Sequence, residues 1–359
     1  MSVLISIVAF VVILVVLVIA HEFGHFITAK WRGVQVVEFG IGFPPRLWGI
    51  RRGETIYSIN ALPLGGFVKL AGEEDPKVPR SLASKGYGSR ILVLAAGSLM
   101  NILLPLVLST AAFMIPHDVY IAPITIQEVI PGSQSERAGL TPGDQLISID
   151  GVTINNTADV QRLALLNLGH ELPFVIRHPD ATTVTVKMTP LWQPPAGQGS
   201  TGLGIRYGAS EPYTTVRESQ SFFKAVPSGI QETYQTLVLY KNEIVRWFVG
   251  SSQPQLSGVV GMTEVTGEVA RSGLSSLLSW TAFISINLGV INILPLPALD
   301  GGRIAFVFLE MFRGGRRVSP RTEGLIHTIG FMLLIALMIA VTYSDIFNIV
   351  TTGTAIPGG

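Results

Sequence analysis

The sequence predicts an α-helical, multi-pass membrane protein with about four transmembrane helices, a membrane-associated β-hairpin or sheet region and one inserted α/β domain. Of its 359 residues, 48% are hydrophobic and only 14% are charged, and the mean hydropathy is +0.48. Four apolar stretches have a length close to the roughly 20 residues that a helix needs to cross a bilayer. Between the second and third stretches, short strands separated by turns indicate a domain outside the membrane.

Composition also excludes several classes of function. The net charge is +1 at pH 7, and no basic run favours nucleic acid as a partner. Cysteine is absent, which excludes disulfides, thiolate metal ligands and a cysteine nucleophile. Metal chemistry would therefore depend on His, Asp and Glu. Membrane lipid is the partner that the composition itself implies.

The first membrane part covers residues 1–115. Its first apolar stretch, Met1–Ala20, has no charged residue and predicts a helix over about residues 3–30. A cleavable signal peptide is the alternative, but the stretch has no basic start and no small-residue cleavage site, so we interpret it as a retained helix. Residues 31–75 alternate apolar and polar positions between turns, which predicts a small sheet touching the membrane. Residues 91–115 predict the second helix.

The remaining chain divides into three segments. Residues 116–208 predict an α/β domain, with a short helix at Ser135–Ala138 and a longer one from about Ala158. Residues 209–273 are amphipathic and lie either on the membrane surface or under the α/β domain. Residues 274–359 hold the last two membrane helices, and prolines at positions 295 and 297 end the third one.

His21, Glu22 and His25 form the pattern H-E-x-x-H at the end of the first apolar stretch. On a helix, positions i and i+4 share one face, so both imidazoles can bind one metal ion. Zinc accepts two histidines, one further protein ligand and a water molecule, and Glu22 can act as a base towards that water. The sequence therefore predicts one Zn²⁺ per chain.

Asp300 is our choice for the third ligand, because it follows a proline-broken apolar run and precedes two glycines that allow close backbone approach. Asn292 lies just before the two prolines, at positions 295 and 297, that interrupt this helix. Asn101 places an amide at membrane depth in the second helix, where it is a candidate substrate-binding residue, although a purely structural interpretation is also open.

Part of the inserted domain resembles a PDZ domain. The pieces Ala138-Gly139-Leu140 and Pro142-Gly143-Asp144 carry this resemblance, which covers roughly residues 120–207. The glycine loop that usually opens such a domain stands at its end instead, so the resemblance implies a circularly permuted fold. Its candidate peptide-binding residues are Gly202, Leu203, Gly204 and Ile205. The alternative is a PDZ-shaped spacer that binds nothing.

The order of the motifs is similar to that of the site-2 protease family of intramembrane zinc metalloproteases, and most of all to the bacterial regulator-of-sigma-E proteases. The motifs are H-E-x-x-H, Gly97-x-x-x-Asn101, one PDZ-like insert, and Asn292 to Gly301. The resemblance implies that His21, His25 and Asp300 are zinc ligands and that Glu22 is the catalytic base. It implies that Asn292 lies at the active site and that residues 31–74 present substrate as a strand. Family members often carry two PDZ domains where this chain has one.

The resemblance also implies regulated intramembrane proteolysis, with single-span membrane proteins such as anti-sigma factors, or remnant signal peptides, as substrates. An upstream site-1-type protease would make the first cut. Two alternatives are a membrane-anchored PDZ adaptor with a non-catalytic metal site, and a zinc enzyme acting on a non-peptide bond. The expected location is the bacterial plasma (inner) membrane, with the PDZ-like domain outside the cytoplasm, because Lys and Arg crowd residues 30–90 and 303–321.

Overall fold

The computed structural model describes residues 3–73, 75–254, 257–352 and 354, without the side chains of residues 63, 64 and 352. Position 74 of the predicted β region and both ends of the chain therefore lie outside the described residues. The chain divides into two compact units. The membrane unit comprises residues 1–112, 226–230 and 256–359, and the second unit comprises residues 113–225 and 231–255.

Four helices of the membrane unit are long and apolar enough to cross a bilayer, within the described part of the chain, which confirms the coarse prediction. They keep mostly apolar surface exposed, as expected for helices that face lipid. These helices are α1 (Val3–Trp31), α2 (Tyr87–Met114), α7 (Leu274–Ile293) and α9 (Pro320–Thr352).

A long antiparallel hairpin stands where the sequence predicts several short strands. It consists of β1 (Val36–Arg52) and β2 (Thr55–Leu70). Its base packs on α1, where the Phe26 ring lies 5.3 Å from the Phe39 ring and 5.9 Å from the Tyr57 ring. Its far end exposes large apolar side chains, which suits contact with lipid. These exposed residues are Phe43, Leu47, Trp48, Ile50, Ile59 and Leu62.

Two shorter helices complete the membrane unit. Helix α6 (Val259–Arg271) packs against α1, α7 and α9, and its Gly261 amide donates a 2.9 Å hydrogen bond to the buried Asp345 carboxylate of α9. Helix α8 (Asp300–Phe312) occupies a region between the last two membrane helices in which the sequence analysis assigned no helix. Asp300 is its first residue.

The second unit contains a six-stranded sheet with the order β8-β7-β5-β4-β9, in which β6 pairs with β5. Strand β3 pairs instead with β10, a strand that the sequence analysis missed. Alternating apolar positions face a core that includes Phe174, Ile126 and Leu203. The elements are β3 (His117–Ile121), β4 (Ile124–Val129), α3 (Gln134–Arg137), β5 (Gln145–Ile149), β6 (Val152–Thr153), α4 (Thr157–Leu166), β7 (Leu172–Arg177), β8 (Thr183–Met188), β9 (Ile205–Ala209) and β10 (Thr214–Glu218).

Helix α5 (Phe222–Phe248) follows the sheet, and its C-terminal part belongs to the second unit. There the Asn242 side chain donates a 2.7 Å hydrogen bond to the Leu165 carbonyl at the end of α4. Arg162 of α4 forms an ion pair with Glu232 and donates to Gln235. Residues 231–248 are therefore attached to the sheet domain, which is one of the two arrangements that the sequence left open.

Candidate metal centre

Three ligand atoms from two helices converge in the membrane unit. His21 Nε2 lies 3.2 Å from His25 Nε2, and the Asp300 Oδ2 atom lies 3.0 Å from the first and 3.1 Å from the second. Both imidazoles are buried, and Asp300 is half-buried. The helical i, i+4 spacing aligns the histidines on α1, while the first turn of α8 supplies the carboxylate.

This triangle fits a zinc ion. Bonds of about 2.0–2.1 Å to tetrahedral zinc place ligand atoms about 3.3 Å apart, close to the separations observed. Two imidazole lone pairs and a carboxylate would repel one another at such distances without a cation between them. The three side chains leave a fourth tetrahedral position, which is the arrangement of catalytic rather than structural zinc sites.

The hydrogen bonds behind the histidines select the tautomer that a metal requires. His25 Nδ1 lies 2.8 Å from the Val93 carbonyl oxygen, so Nδ1 carries the proton and Nε2 presents its lone pair. The Asn101 Nδ2 atom lies 3.2 Å from His21 Nδ1, and the buried Asn101 Oδ1 atom has no hydrogen-bond partner among the described residues. A His21 that binds metal through Nε2 carries its proton on Nδ1 and needs an acceptor there, and rotating the amide by 180° would supply the Asn101 oxygen as that acceptor. Asn101 is fully buried, and its side chain contacts His21, a predicted zinc ligand.

Gly97 of α2 faces the two imidazoles directly. A Cβ atom at this position would lie 2.6 Å from His21 Nε2 and still closer to His25 Nε2. The sequence analysis named Gly97 only as part of the Gly97-x-x-x-Asn101 motif and missed this contact. Helix packing uses a different glycine, Gly24 of α1, whose missing side chain leaves room for the Ala96 carbonyl of α2.

Glu22 is next to the ligand pair and faces the hairpin. A Cβ atom on Gly66 of β2 would lie 3.4 Å from the Glu22 Cγ atom and 3.6 Å from Val18 Cγ1. The carboxyl group therefore lies between the ligand helix and strand β2. Sequence spacing places Glu22 beside the histidines, but it says nothing about this strand.

The glycines after Asp300 allow the chain to turn back closely on itself. Helix α7 ends at Ile293, and a side chain on Gly301 would collide with the carbonyl groups of Ile293 and Leu294. Gly302 is restricted in the same way by the Leu296 carbonyl. Close approach of the two segments thus positions Asp300 at the start of α8, beside the histidines.

The other predicted site residues have different surroundings. Asn292 is half-buried in the last turn of α7, and within the described part of the chain it makes no hydrogen bond to the ligand side chains. In the second unit, the amides of Gly202 and Gly204 donate to the carbonyls of Gly199 and Gln198. The roles predicted for Asn292 and for residues 202–205 stay predictions.

Comparison with known proteins identifies the family. The sequence profile of peptidase family M50 matches residues 9–337. This chain belongs to peptidase family M50, the site-2 protease family. Zinc metalloprotease RasP of Geobacillus kaustophilus is 31% identical over 423 residues, covering 95% of this chain and 97% of that protein. A protein of Clostridium perfringens whose name also contains zinc metalloprotease is 35% identical over 333 residues, covering 92% and 95%.

Membership of family M50 establishes the coarse activity. The chain is a zinc metalloendopeptidase with apolar helices suited to a membrane, and Zn²⁺ is its metal. The alternatives of an adaptor without catalysis and of a zinc enzyme for non-peptide bonds do not agree with this family. The convergent triangle of His21, His25 and Asp300 is where the described residues offer three ligands to such an ion.

Proposed function

We propose that this M50 peptidase cleaves single-span membrane proteins within the membrane after another protease has made a first cut. Anti-sigma factors and remnant signal peptides are the two substrate groups that suit this role. The observation that supports the proposal is the location of the triangle of His21, His25 and Asp300, because both histidines lie on helix α1 next to its uncharged stretch. A hydrolytic site beside a membrane-spanning helix suits a substrate that is itself confined to the bilayer.

We assign His21, His25 and Asp300 as ligands and Glu22 as the base. When bound, zinc lowers the pKa of a water molecule and polarises the carbonyl of the bond to be cut. Glu22 takes a proton at its carboxylate and delivers it to the departing amine. Val93 and Asn101 hold protons on the Nδ1 atoms of the two histidines, which keeps their Nε2 atoms directed at the metal position.

We further propose that the substrate binds as an extended strand beside the β1–β2 hairpin. A helical substrate protects its amides, so it must unwind before attack, and pairing with a strand edge replaces the lost hydrogen bonds. Strand β2 passes Glu22 at Gly66, so a strand paired there would bring its peptide bonds to the base. Asn292, in the last turn of α7, is assigned to hold the substrate backbone.

For the second unit we propose a circularly permuted PDZ-like fold on the non-cytoplasmic side of the bacterial plasma membrane. The strand order supports this assignment, because the late strand β9 pairs with β4 at one edge of the sheet. Helix α4 packs near β9, as a helix beside a peptide-binding edge would.

Substitution of Glu22, His21 and Asp300 tests the proposed roles. Glu22→Gln should abolish cleavage of a single-span substrate while about one zinc per chain remains bound, because the amide cannot accept the proton. His21→Ala and Asp300→Ala should lose zinc as well as activity. The measurements are metal content of purified protein and gel analysis of two reconstituted substrates, an anti-sigma-type protein and a signal-peptide remnant.

His170→Ala is the matched control, because His170 belongs to the second unit and should leave zinc content and cleavage unchanged. Full cleavage by Glu22→Gln would refute the assigned base. Equal cleavage of full-length and pre-trimmed substrates would refute the requirement for a first cut.

A further inference from the structure

The loop that precedes Asp300 contains one strained residue. This loop connects the end of α7 at Ile293 to the start of α8 at Asp300. Ala298, two residues before the proposed ligand, has a φ angle of +71°, in the left-handed region that residues with a Cβ atom rarely adopt. Such a conformation persists only where the surrounding structure fixes it. The contacts of Ala298 therefore bear on where Asp300 is held.

A histidine on helix α9 contacts the strained residue. Nδ1 of His327 accepts a 2.8 Å hydrogen bond from the Ala298 backbone N–H group. A backbone amide can only donate, so Nδ1 is unprotonated and the neutral imidazole carries its proton on Nε2. Nε2 has no hydrogen-bond partner among the described residues. Within the described part of the chain, the imidazole thus makes its one hydrogen bond to the loop, 29 residues earlier in the sequence.

The His327 imidazole also packs against the first turns of α8. Its ring centroid lies 5.6 Å from that of Phe306, and a Cβ atom on Gly302 would lie 3.3 Å from its Cε1 atom. Gly330, one helical turn after His327, lets α9 approach the loop, because a Cβ atom there would lie 3.1 Å from Pro297 Cα. One imidazole therefore contacts the chain both before and after the proposed ligand.

Small displacements of Asp300 matter because zinc tolerates little variation in bond length. The Asp300 Oδ2 atom lies 3.0 Å from His21 Nε2 and 3.1 Å from His25 Nε2. Metal–ligand distances in proteins vary by only about 0.2 Å from their usual values. His327 is not a member of the ligand group that the described residues form, so its influence on zinc must pass through the loop.

We propose that His327 is a positioning residue for the metal site: its neutral imidazole fixes Ala298 and thereby the direction of the Asp300 carboxylate. The inference deepens the proposed function and rests on it, because it takes Asp300 as a zinc ligand. Without an acceptor at this place, nothing compensates the strained conformation of Ala298, and the loop relaxes so that the carboxylate turns away from the histidines. The role therefore depends on the acceptor atom of the side chain and not only on its size.

Three substitutions of His327 in the full-length protein, purified in detergent micelles, test the proposal. The side-chain oxygen of Asn lies at about the place of Nδ1 and can accept the same bond, whereas Leu has nearly the size of Asn and accepts none. Zinc affinity, measured by competition with a chelating dye, should fall about tenfold or more in His327→Leu and stay within about threefold in His327→Asn. His327→Gln, whose acceptor lies one bond further out, should behave like His327→Leu.

Thermal unfolding of the zinc-free variants separates positioning from general stability. Leucine favours helices and lipid more than asparagine does, so a purely structural role predicts that His327→Asn is the more damaging change. The proposal predicts the opposite order for zinc affinity. Ala298→Gly adds a second check, because glycine adopts a positive φ without strain. In that background, the effect of His327→Leu on zinc affinity should shrink to less than about threefold.

Thr328→Leu is the matched control, because Thr328 is exposed and its hydroxyl donates to the Gly324 carbonyl of the same helix. It should leave zinc affinity unchanged. Equal zinc affinity of His327→Asn and His327→Leu would overturn the proposal. If His327→Leu does not fold, the comparison of His327→Asn with His327→Gln decides in the same way.

Asp300→Ala, measured in parallel, separates this test from a failure of the proposed function. Loss of zinc in Asp300→Ala with unchanged affinity in His327→Leu would contradict only the role of His327. Unchanged zinc affinity in Asp300→Ala would contradict the ligand assignment, and with it the inference.

Discussion

Gly97 leaves space beside the two imidazoles of the proposed metal site that any side chain would fill. In Gly97→Ala, the new methyl group would lie 2.6 Å from His21 Nε2, closer than non-bonded atoms tolerate. The histidines are fixed on their other sides by Val93 and Asn101, so they cannot move away freely. We expect zinc affinity to fall by about tenfold or more, comparable to loss of an outer hydrogen bond. Competition with a chelating dye measures this affinity.

Gly88→Ala provides the matched control on the same helix, because a Cβ atom at Gly88 would meet no other atom within 4 Å. It should retain zinc and change the free energy of unfolding by less than about 1 kcal/mol. If Gly97→Ala binds zinc as tightly as the unsubstituted protein, the close contact between α2 and the imidazoles does not constrain the site.

The sequence anticipates part of this site and could not anticipate the rest. The spacing of His21 and His25 already places both imidazoles on one face, because the period of an α-helix is local information. The contact of Gly97 with them depends on the distance between α1 and α2, which no local pattern encodes. Asp300 was selected for its chemistry, yet its position as the first residue of α8 was missed because two glycines follow it and glycine disfavours helices.

At the scale of elements, the packing of α6 against α1 depends on Gly267. A Cβ atom there would lie 2.8 Å from the Ser6 Cβ atom. Gly267→Ala should therefore separate the helices and destabilise the protein by about 1–3 kcal/mol, the usual cost of overpacking. Ser6→Gly in the same chain should recover much of this loss, although glycine itself costs a helix about 1 kcal/mol. Thermal unfolding of the two single variants and the double variant measures the coupling.

Gly324→Ala in α9 is the control for this experiment, since a Cβ atom at Gly324 would find open space within 4 Å. It should leave the unfolding temperature nearly unchanged. Strictly additive effects of Gly267→Ala and Ser6→Gly would contradict direct contact between the two positions.

Elements with strong periodicity were the most predictable, and those defined by tertiary contacts were the least. The four long apolar helices follow from hydropathy, because only helices of that length satisfy their backbone within a bilayer. Strand β10 was missed because its five residues, Thr214–Glu218, are all exposed and show no apolar alternation. The sequence could not assign α6 either, since its anchor at Asp345 lies 84 residues further along the chain.

At the scale of the whole molecule, two positively charged segments of the membrane unit come together. Arg90, at the start of α2, forms a 2.6 Å ion pair with Glu310 of α8, and Arg317 donates to the Ala83 carbonyl. Burial works against ionisation of Glu310, but the two arginines hold its pKa below the usual range. Segments that share such contacts must lie on the same side of a membrane. Since Lys and Arg collect on the cytoplasmic side of membrane proteins, we predict that this side faces the cytoplasm.

This arrangement predicts which positions can be labelled from outside the cell. Because the chain has no native cysteine, the single variants Ser84→Cys, Ser200→Cys and Ser319→Cys each carry one exposed thiol. A membrane-impermeant thiol reagent should label position 200 in intact cells. Positions 84 and 319 should react only after the membrane is opened, because four spans return residues 303–321 to the side of residues 30–90. Labelling of position 319 but not position 200 in intact cells would reverse the orientation. Labelling of position 84 without position 319 would contradict the four-span topology.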